Sequence, residues 1–268
     1  MRILFFISII SAYILYDSGK VSLPDIVSVL FILFLIFLIP RWFRQTIYKR
    51  TGYFRVTQKS LYQLDKGEIG EYLIYQKLRA LEKQGGRFLF NLYLPKTRNE
   101  TTEVDVVLIH PKGFFVIESK NYSGWIFGDE TNRTWTQVLP RGRGYEANKE
   151  RFQNPLRQNA THIKYLKRQL GEQIPMWSLI VFSDDCEFKD VTVSPDTRFK
   201  VIQLHELKRL ISNIIKTTQE DIFTESQVQM MYEQLYPFSQ VDDETKVRHM
   251  EEIKKETEEL LTLPNDSD

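Results

Sequence analysis

The sequence contains very little cysteine: Cys186 is the only one among 268 residues, so no intramolecular disulfide can form. A thiol content this low is typical of proteins in a reducing compartment, and we expect Cys186 to be structural because no His–Cys arrangement is evident near it. The cysteine and the four histidines do not combine in a zinc-binding spacing. The pattern GxxxxGK[ST] and any internal repeat are also absent, which excludes P-loop nucleotide hydrolases and repeat folds.

Net charge is close to zero for the whole chain but is distributed unevenly. The total is +1, whereas residues 242–268 carry ten acidic and four basic residues, a net −6, which leaves +7 on the rest. A basic body suits partners that carry phosphate, although moderately basic domains also occur without them. The acidic tail, 241–268, lacks a strong apolar stripe and predicts a solvated helix or a disordered segment.

Two long apolar runs stand early in the sequence, at residues 3–16 and 26–40. A helix needs about 20 apolar residues to span a membrane, and the second run qualifies when it is extended back to residue 21. The first run is shorter, and its alternative is a signal peptide, but the residues after it lack an A-x-A-like cleavage site. We therefore expect residues 1–40 to be a membrane anchor of one or two transmembrane helices, with a two-helix hairpin favoured.

Basic residues follow directly after the second apolar run, at Arg41, Arg44, Lys49, Arg50 and Arg55. The positive-inside rule places such a cluster on the cytoplasmic face. We therefore expect the protein at the cell membrane with its globular domain in the cytoplasm. Residues 41–64 would be a basic juxtamembrane linker that lies against anionic headgroups.

The middle of the chain alternates between helical and strand-like patterns. Strands are predicted where β-branched and aromatic residues cluster, at 87–94, 102–109, 113–120, 125–128, 134–138, 178–185 and 199–204. Helices are predicted at 65–84, 155–170, 205–216 and 224–236. The basic stretch 141–151, which bears glycine, is expected to be a loop that either faces phosphate or is solvated. This order of elements predicts an α/β domain with a mixed central sheet flanked by helices.

Three charged side chains lie in the apolar parts of two predicted strands. Asp105 lies within the first strand, and Glu118 and Lys120 end the second, where their spacing puts them on one face. Adjacent antiparallel strands would bring Asp105 within reach of both. Two carboxylates can bind a Mg²⁺ ion that meets a phosphate, and a lysine can orient water or neutralise developing charge. The simpler alternative is a solvated Glu–Lys pair, but an acid inside a valine-rich strand needs a partner to hold it.

Four segments, in this order, resemble the NERD (nuclease-related) domain of the PD-(D/E)XK nuclease-like superfamily. They are GEIGEYL at 67–73, EVD at 103–105, GFFVIESKNYSG at 113–124 and NPLRQN at 154–159. Asp105 and the segment Glu118-Ser119-Lys120 match the D…ExK core of that superfamily. Its Pro-Asp dipeptide is absent here, because Val104 precedes Asp105.

The resemblance implies a restriction-endonuclease-like fold and metal-dependent hydrolysis of phosphodiester bonds in nucleic acid, with DNA favoured over RNA. It implies that Asp105 and Glu118 bind Mg or Mn and that Glu71 completes the metal site. Lys120 would position the attacking water, and Gln158 would orient Lys120 or the phosphate. His162, one helical turn beyond Gln158, is expected to be a partly buried helix residue or a substrate contact.

The resemblance also divides the chain into a nuclease-like domain at 65–185 and a C-terminal extension at 186–240. Two other functions stay open: a nucleic-acid-binding module that does not cut, and a scaffold that uses the fold for protein contacts. A nuclease would show divalent-dependent cleavage, a binding module would retain nucleic acid without metal, and a scaffold would do neither.

Overall fold

The structure, a computed structural model, describes residues 22–97, 100–140, 146–195 and 198–262. The chain divides into two compact units, Met1–Thr51 and Gly52–Asp268. The described part of the first unit contains helix α1 (Leu23–Tyr48), which has Pro40 in its interior.

Within these described ranges, no helix combines the length and the apolar character that crossing a membrane requires. The predicted transmembrane helices are therefore not confirmed. The apolar run 26–40 lies inside α1, and the run 3–16 lies outside the described residues.

The second unit is built on a five-stranded sheet with the strand order β1-β2-β3-β7-β9. Its first three strands are antiparallel neighbours: β1 (Arg87–Pro95), β2 (Thr101–His110) and β3 (Gly113–Lys120). The other two run parallel to β3: β7 (Met176–Phe182) and β9 (Phe199–Gln203). The sheet is thus mixed, as the sequence predicted.

The strands β2 and β3 can lie at the centre of this sheet because they are apolar on both faces. Residues 106–110 of β2 and 113–118 of β3 are buried. The sequence of a strand that is covered on both faces is a continuous apolar run rather than an alternation of apolar and polar residues. Helices α3 (Lys66–Leu78) and α4 (Pro155–Leu170) pack against β3 and carry further residues of the candidate site.

A second, four-stranded sheet was not predicted from the sequence. Its strand order is β6-β5-β4-β8, with bounds β4 (Gly124–Asp129), β5 (Thr134–Leu139), β6 (Asn148–Gln153) and β8 (Cys186–Thr192). The predicted mixed central sheet is confirmed by the five-stranded sheet, but four further strands form a sheet of their own. The chain leaves the first sheet after β3 and turns at Gly124, whose φ of +79° is readily adopted by glycine. The predicted loop 141–151 overlaps strand β6 at residues 148–151, because the charged residues of this edge strand mask its pattern. Residues 141–145 of that loop lie outside the described residues.

An apolar cluster packs strands of the two sheets together. Trp135 of β5 stacks on Phe182 of β7, with ring centroids 6.1 Å apart. Cys186 belongs to the same cluster, and burial raises the pKa of its thiol to about 11. A protonated, buried thiol is unreactive, which agrees with the structural role predicted for Cys186.

Two asparagines of the NPLRQN segment fix α4 in place. Asn154 caps the helix by accepting a hydrogen bond from Leu156 N at 2.9 Å, and its Nδ2 donates to three carbonyl groups at the end of β4 and in the loop that follows it. Asn159 Nδ2 donates to Val116 O on β3 at 3.0 Å. Since the segment is tied to the β4–β5 connection at one end and to β3 at the other, Gln158 and His162 on the same helix are held at defined positions.

Two segments predicted to be appendages belong to the globular unit. Helix α2 (Gly52–Thr57), part of the predicted juxtamembrane linker, packs on β1 and carries the fully buried Tyr53. After α5 (Leu204–Thr217) and α6 (Glu225–Leu235), the acidic tail forms helix α7 (Asp243–Thr262). His249 of α7 is buried, so this helix is docked on the domain rather than fully solvated.

Candidate active site

Asp105 and Glu118 lie at matching positions of the β2–β3 hairpin. The backbone pairing of the two strands runs from His110 and Gly113 to Val106 and Ile117, and Asp105 and Glu118 come next. There Asp105 Oδ2 accepts a hydrogen bond from Ser119 N at 2.7 Å. Opposite residues of antiparallel strands point to the same face, so the fold brings the two carboxylates together.

Lys120 contacts one carboxylate and one amide. Its Nζ donates to Glu118 Oε1 at 2.6 Å and to Gln158 Oε1 at 3.0 Å. The side chains of Lys120 and Glu118 are only 13% and 1% exposed. Burial acts to lower the pKa of Lys120, but the adjacent Glu118 carboxylate outweighs this effect and the pKa is raised. Lys120 is therefore an ammonium group that Gln158 and Glu118 hold in position.

The second oxygen of Glu118 contacts His162. His162 Nε2 lies 3.1 Å from Glu118 Oε2, and His162 Nδ1 lies 2.8 Å from the hydroxyl oxygen of Thr102 on β2. A carboxylate can only accept, so Nε2 carries the proton that points at Glu118, and a neutral ring then accepts from Thr102 at Nδ1. Burial acts to raise the pKa of Glu118, but Lys120 and His162 outweigh it and the pKa is lowered.

Glu71 reaches the same region from helix α3. The preceding Gly70 lies against the end of β3, where an added Cβ would be 2.6 Å from Ser119 Oγ and 2.9 Å from Asn121 Cβ. Only glycine permits this close approach of helix and strand without a shift. Glu71 is buried, and the hydroxyl of Tyr53 donates to its Oε2 at 3.2 Å.

The other acid of the GEIGE segment, Glu68, has a structural role. Its Oε2 accepts from Asp65 N at 3.1 Å, and Asp65 Oδ1 accepts from Glu68 N at 2.9 Å. These reciprocal bonds are a capping box that closes the N-terminus of α3. Glu68 also forms an ion pair with Lys59. Of the two acids, Glu71 is therefore the one that belongs to the carboxylate group.

Asn91 on β1 completes the surroundings of Glu71. It stands between the paired residues Phe90 and Leu92, opposite Asp105, and its φ of +51° interrupts the regular pairing. Asparagine tolerates this left-handed conformation better than most residues. With its amide nitrogen turned toward the carboxylate, Asn91 donates to the two oxygens of Glu71 at 2.5 and 3.2 Å.

The carboxylates of this group destabilise one another's ionised forms. Burial, and after it the charge of Asp105, raises the pKa of Glu71 well above its ordinary value. Burial, and after it the charge of Glu118, does the same to the pKa of Asp105. Burial also raises the pKa of Glu103, which lies two residues before Asp105. Such a concentration of buried acids favours the uptake of a proton or a cation.

A cavity of about 290 Å³ gives access to Asp105. Its walls are mainly polar and include Glu103, Gln153, Gln158 and Thr161. His162 lines the same cavity, so the contact between His162 and Glu118 is adjacent to the open space. The cavity is therefore the route by which a polar substrate could approach the carboxylates.

The residues present fit a hard divalent cation by their donor chemistry, because such ions prefer carboxylate oxygens. Asp105 and Glu71 have raised pKa values, and a bound cation would offset their repulsion. Glu118 is already engaged at both oxygens, by Lys120 and His162. Over the described part of the chain, no three His, Cys, Asp or Glu side chains are grouped as a metal ion would require.

Several contacts of the site were not predicted from the sequence. His162 is buried, as expected of a packed helix residue, but it also contacts Glu118. Its spacing of four from Gln158 was a usable signal, because residues i and i+4 share a helix face. The roles of Asn91 and Tyr53 had no comparable signal, since Asn91 acts through an irregular backbone and Tyr53 through a helix distant in sequence.

The part of the chain that holds these residues matches a known domain. A sequence profile described as nuclease-related domain matches residues 66–183, which include Glu71, Asp105, Glu118, Lys120 and Gln158. An uncharacterized protein of Bacillus anthracis is 30% identical over 185 residues, which is 69% of this chain and 82% of that protein. No solved structure matches the chain. The chain therefore belongs to the NERD family of nuclease-related domain proteins.

Proposed function

We propose that the protein is a metal-dependent nuclease that hydrolyses phosphodiester bonds in nucleic acid, with DNA favoured over RNA. One observation carries the proposal: the carboxylates of Asp105 and Glu118 lie at matching positions of two strands beside the Lys120 ammonium, and Asp105 lines a polar cavity and interacts electrostatically with Glu71. Ionisable groups with strongly perturbed pKa values in a cleft are typical of catalytic sites. Membership of a nuclease-related family supports the same function.

The metal would be Mg²⁺ or Mn²⁺, held by Asp105 and Glu71 together with Glu118. Nuclease-like domains of this family are generally dependent on a divalent metal. When bound, such an ion polarises the phosphate and makes a nearby water more acidic. Asn91 and Tyr53 would hold the Glu71 carboxylate in place, and Ser119 N would do the same for Asp105.

Lys120 would orient the attacking water and offset the negative charge that develops on the phosphate. Its raised pKa keeps it protonated, so it acts as a donor rather than as the base that removes the water proton. Gln158 would fix the direction of the Lys120 side chain through the 3.0 Å contact. His162 and Thr102 would hold the opposite oxygen of Glu118 and so keep that carboxylate at a fixed distance from Lys120.

A nucleic-acid-binding module that does not cut is the second candidate function. It is favoured by the engagement of Glu118, since both of its oxygens contact positively polarised neighbours rather than the cavity. In that case Lys120 and Glu118 would be an internal ion pair, and the cavity would bind a phosphate without activating a water.

The test uses the full-length protein with labelled single- and double-stranded DNA and RNA, in Mn²⁺, in Mg²⁺ and in a chelator. A metal-dependent nuclease cleaves only with metal, and Asp105→Ala should lower the rate by more than the about 10- to 100-fold that is typical when a partner of a metal ligand is removed, because here the ligand itself is lost. Glu187→Ala is the matched control, because Glu187 is an exposed carboxylate paired with Lys189 on the second sheet.

Calorimetric titration with Mn²⁺ completes this experiment. Equal Mn²⁺ affinity in the wild type and in Asp105→Ala would show that the metal site lies elsewhere. Retention of nucleic acid without cleavage in any condition would support the binding module, and neither binding nor cleavage would support a protein scaffold.

We also propose a membrane anchor at residues 1–40 with the nuclease-like domain on the cytoplasmic side. The support is the sequence alone, in the apolar runs 3–16 and 26–40 and in the basic residues that follow. A reporter fused after Arg50 should be found in the membrane fraction and should face the cytoplasm. Recovery of the fusion in the fraction without membranes would remove this part of the proposal.

A further inference from the structure

Helix α7 docks beside the cavity through one face. His249, Glu252, Ile253 and Glu256 make its contacts with the domain, and their spacing of three and four residues places them on one side of the helix. His249, Ile253 and Glu256 line the same cavity as Asp105. The acidic tail of the chain therefore forms one wall of the candidate active site.

The docking contacts combine one buried anchor with several polar contacts. His249 is 4% exposed and packs edge-on against Tyr93, with ring centroids 5.3 Å apart. His249 Nδ1 lies 3.0 Å from Thr101 Oγ1 on β2. Glu252 Oε2 accepts from Thr101 N at 3.4 Å, beyond the usual range for a strong bond.

The ion pair between Lys96 and Glu256 lies at the same wall. Lys96 Nζ donates to Glu256 Oε1 at 3.1 Å, and the Lys96 side chain is only 16% exposed. Lys96 lines the cavity together with Asp105 and Gln158. A lysine ammonium binds a phosphate oxygen and a carboxylate oxygen through the same charge-assisted hydrogen bond. Glu256 therefore occupies a position at which a substrate phosphate would meet Lys96.

We infer that α7 lies in the path by which a nucleic-acid strand reaches Asp105, and that Glu256 takes the place of a strand phosphate on Lys96. The inference rests on the proposed function. It adds Lys96 as a residue that binds nucleic acid, and Glu256 as a group of the same chain that competes with nucleic acid for Lys96. Access then requires that α7 moves away from the cavity. Ion pairs with one exposed partner are individually weak, so a polyanionic strand can displace the helix.

Charge-matched variants of the full-length chain test the competition. Glu256→Gln removes the negative charge that contacts Lys96 and should tighten the binding of a labelled single-stranded oligonucleotide by about three- to fivefold, the upper part of the effect expected of one such ion pair. Glu258→Gln is the control, because it makes the same charge change at an exposed position of the helix. It should leave binding within about twofold, since charges far from the contact are screened by salt.

Lys96 provides the reciprocal test. Lys96→Ala in the Glu256→Gln background should remove the gain in affinity, because the phosphate loses its partner. His249→Ala, which loosens the anchor without changing the charge at Lys96, should also tighten binding. If circular dichroism shows that His249→Ala is unfolded, the comparison of Glu256→Gln with Glu258→Gln is by itself the test of the inference.

Limited proteolysis gives a readout that needs no nuclease activity. Saturating oligonucleotide should speed tryptic cleavage at Lys254 and Lys255, because α7 leaves its docked position. Equal effects of Glu256→Gln and Glu258→Gln, or protection of α7 by the oligonucleotide, would overturn the inference. If wild type and all variants neither bind nor cleave nucleic acid, the proposed function itself fails, which is a distinct result.

Discussion

The Asn91 side-chain amide contacts both carboxylate oxygens of Glu71, from a backbone conformation with φ of +51° directly opposite Asp105. One irregular residue of β1 thus supplies donors to a buried acid whose pKa is raised by burial and by Asp105. Irregular backbone of this kind is common where a fold positions a functional group.

The backbone and side-chain contributions of Asn91 to stability can be measured separately. Asn91→Gly keeps the positive φ but removes the amide, and we expect a loss of about 1–3 kcal/mol in the free energy of unfolding, because a buried carboxyl loses its donor. Asn91→Asp places another acid against Glu71 and should be the more destabilising of the two. Denaturant titration measures both variants, and equal stability of Asn91→Asp and wild type would contradict this assignment.

Lys120 should affect the rate more than it affects metal binding. Lys120→Ala removes the ammonium that would orient the attacking water and offset charge on the phosphate, so the rate of cleavage should fall by about 100-fold or more. Mn²⁺ affinity should hold or rise, because a positive charge next to the cation has been removed. Calorimetry and cleavage assays on the same preparation give both quantities. A parallel loss of metal affinity would show that Lys120 acts mainly by holding Glu118 in place.

Low pH should weaken the docking of helix α7, because His249 takes up a proton when the helix is undocked. Burial and then Lys96 lower the pKa of His249 to about 4, from an ordinary value of 6.5 that applies when the helix is undocked. The undocked helix binds more protons between these two values, so docking is fully stable above pH 6.5 and weakens as the pH falls toward 4. The charged or polar groups around the ring are Lys96, Tyr93, Thr101, Glu103, His162 and Glu256.

Hydrogen exchange of α7 at pH 7.5 and at pH 5 measures this release. Exchange, after correction for its intrinsic pH dependence, should be faster at the lower pH in the wild type. His249→Asn retains a polar group without the titration and should remove the difference. An unchanged difference in His249→Asn would assign the effect to another group, such as Glu103, whose pKa is raised by burial.

Gly70 should tolerate no side chain. Gly70→Ala would place a Cβ within 2.6 Å of Ser119 Oγ, and we expect a loss of about 1–3 kcal/mol in stability, as for overpacked cores. Gly67→Ala, on the same helix, meets only Asp65 Oδ1, at 3.3 Å, and should destabilise the protein less than Gly70→Ala because the approach is less close. Thermal unfolding of the two variants tests the contrast. A neutral Gly70→Ala would show that α3 can shift without disturbing β3.

The elements of the first sheet were predictable because their cause is local. β2 and β3 are long apolar runs joined by turn residues, and helix α4 begins at Pro155 after a capping asparagine. The gathering of Asp105, Glu118 and Lys120 followed from the same pattern, since the period of a strand fixes which side chains share a face. Gln158 was expected near Lys120 only through the family resemblance.

The remaining features depend on contacts between residues far apart in the sequence. β6 is a charged edge strand whose partner β5 decides its conformation, so its own residues resemble a loop. The docking of α7 depends on His249, which contacts Tyr93 and Thr101 although about 150 residues of chain separate them from it. No periodic pattern within α7 indicates which surface will receive that histidine.

The position of Glu256 on Lys96 changes how ionic strength should act on binding. Salt weakens the attraction between a nucleic-acid strand and its lysine contacts, which normally gives a steep loss of affinity. Here salt also weakens the internal Lys96–Glu256 ion pair that the strand must replace, because the same screening applies to both. The two effects oppose each other, so the slope of affinity against salt should be shallower than the number of phosphate contacts implies. Removal of the Glu256 charge should restore the steeper slope.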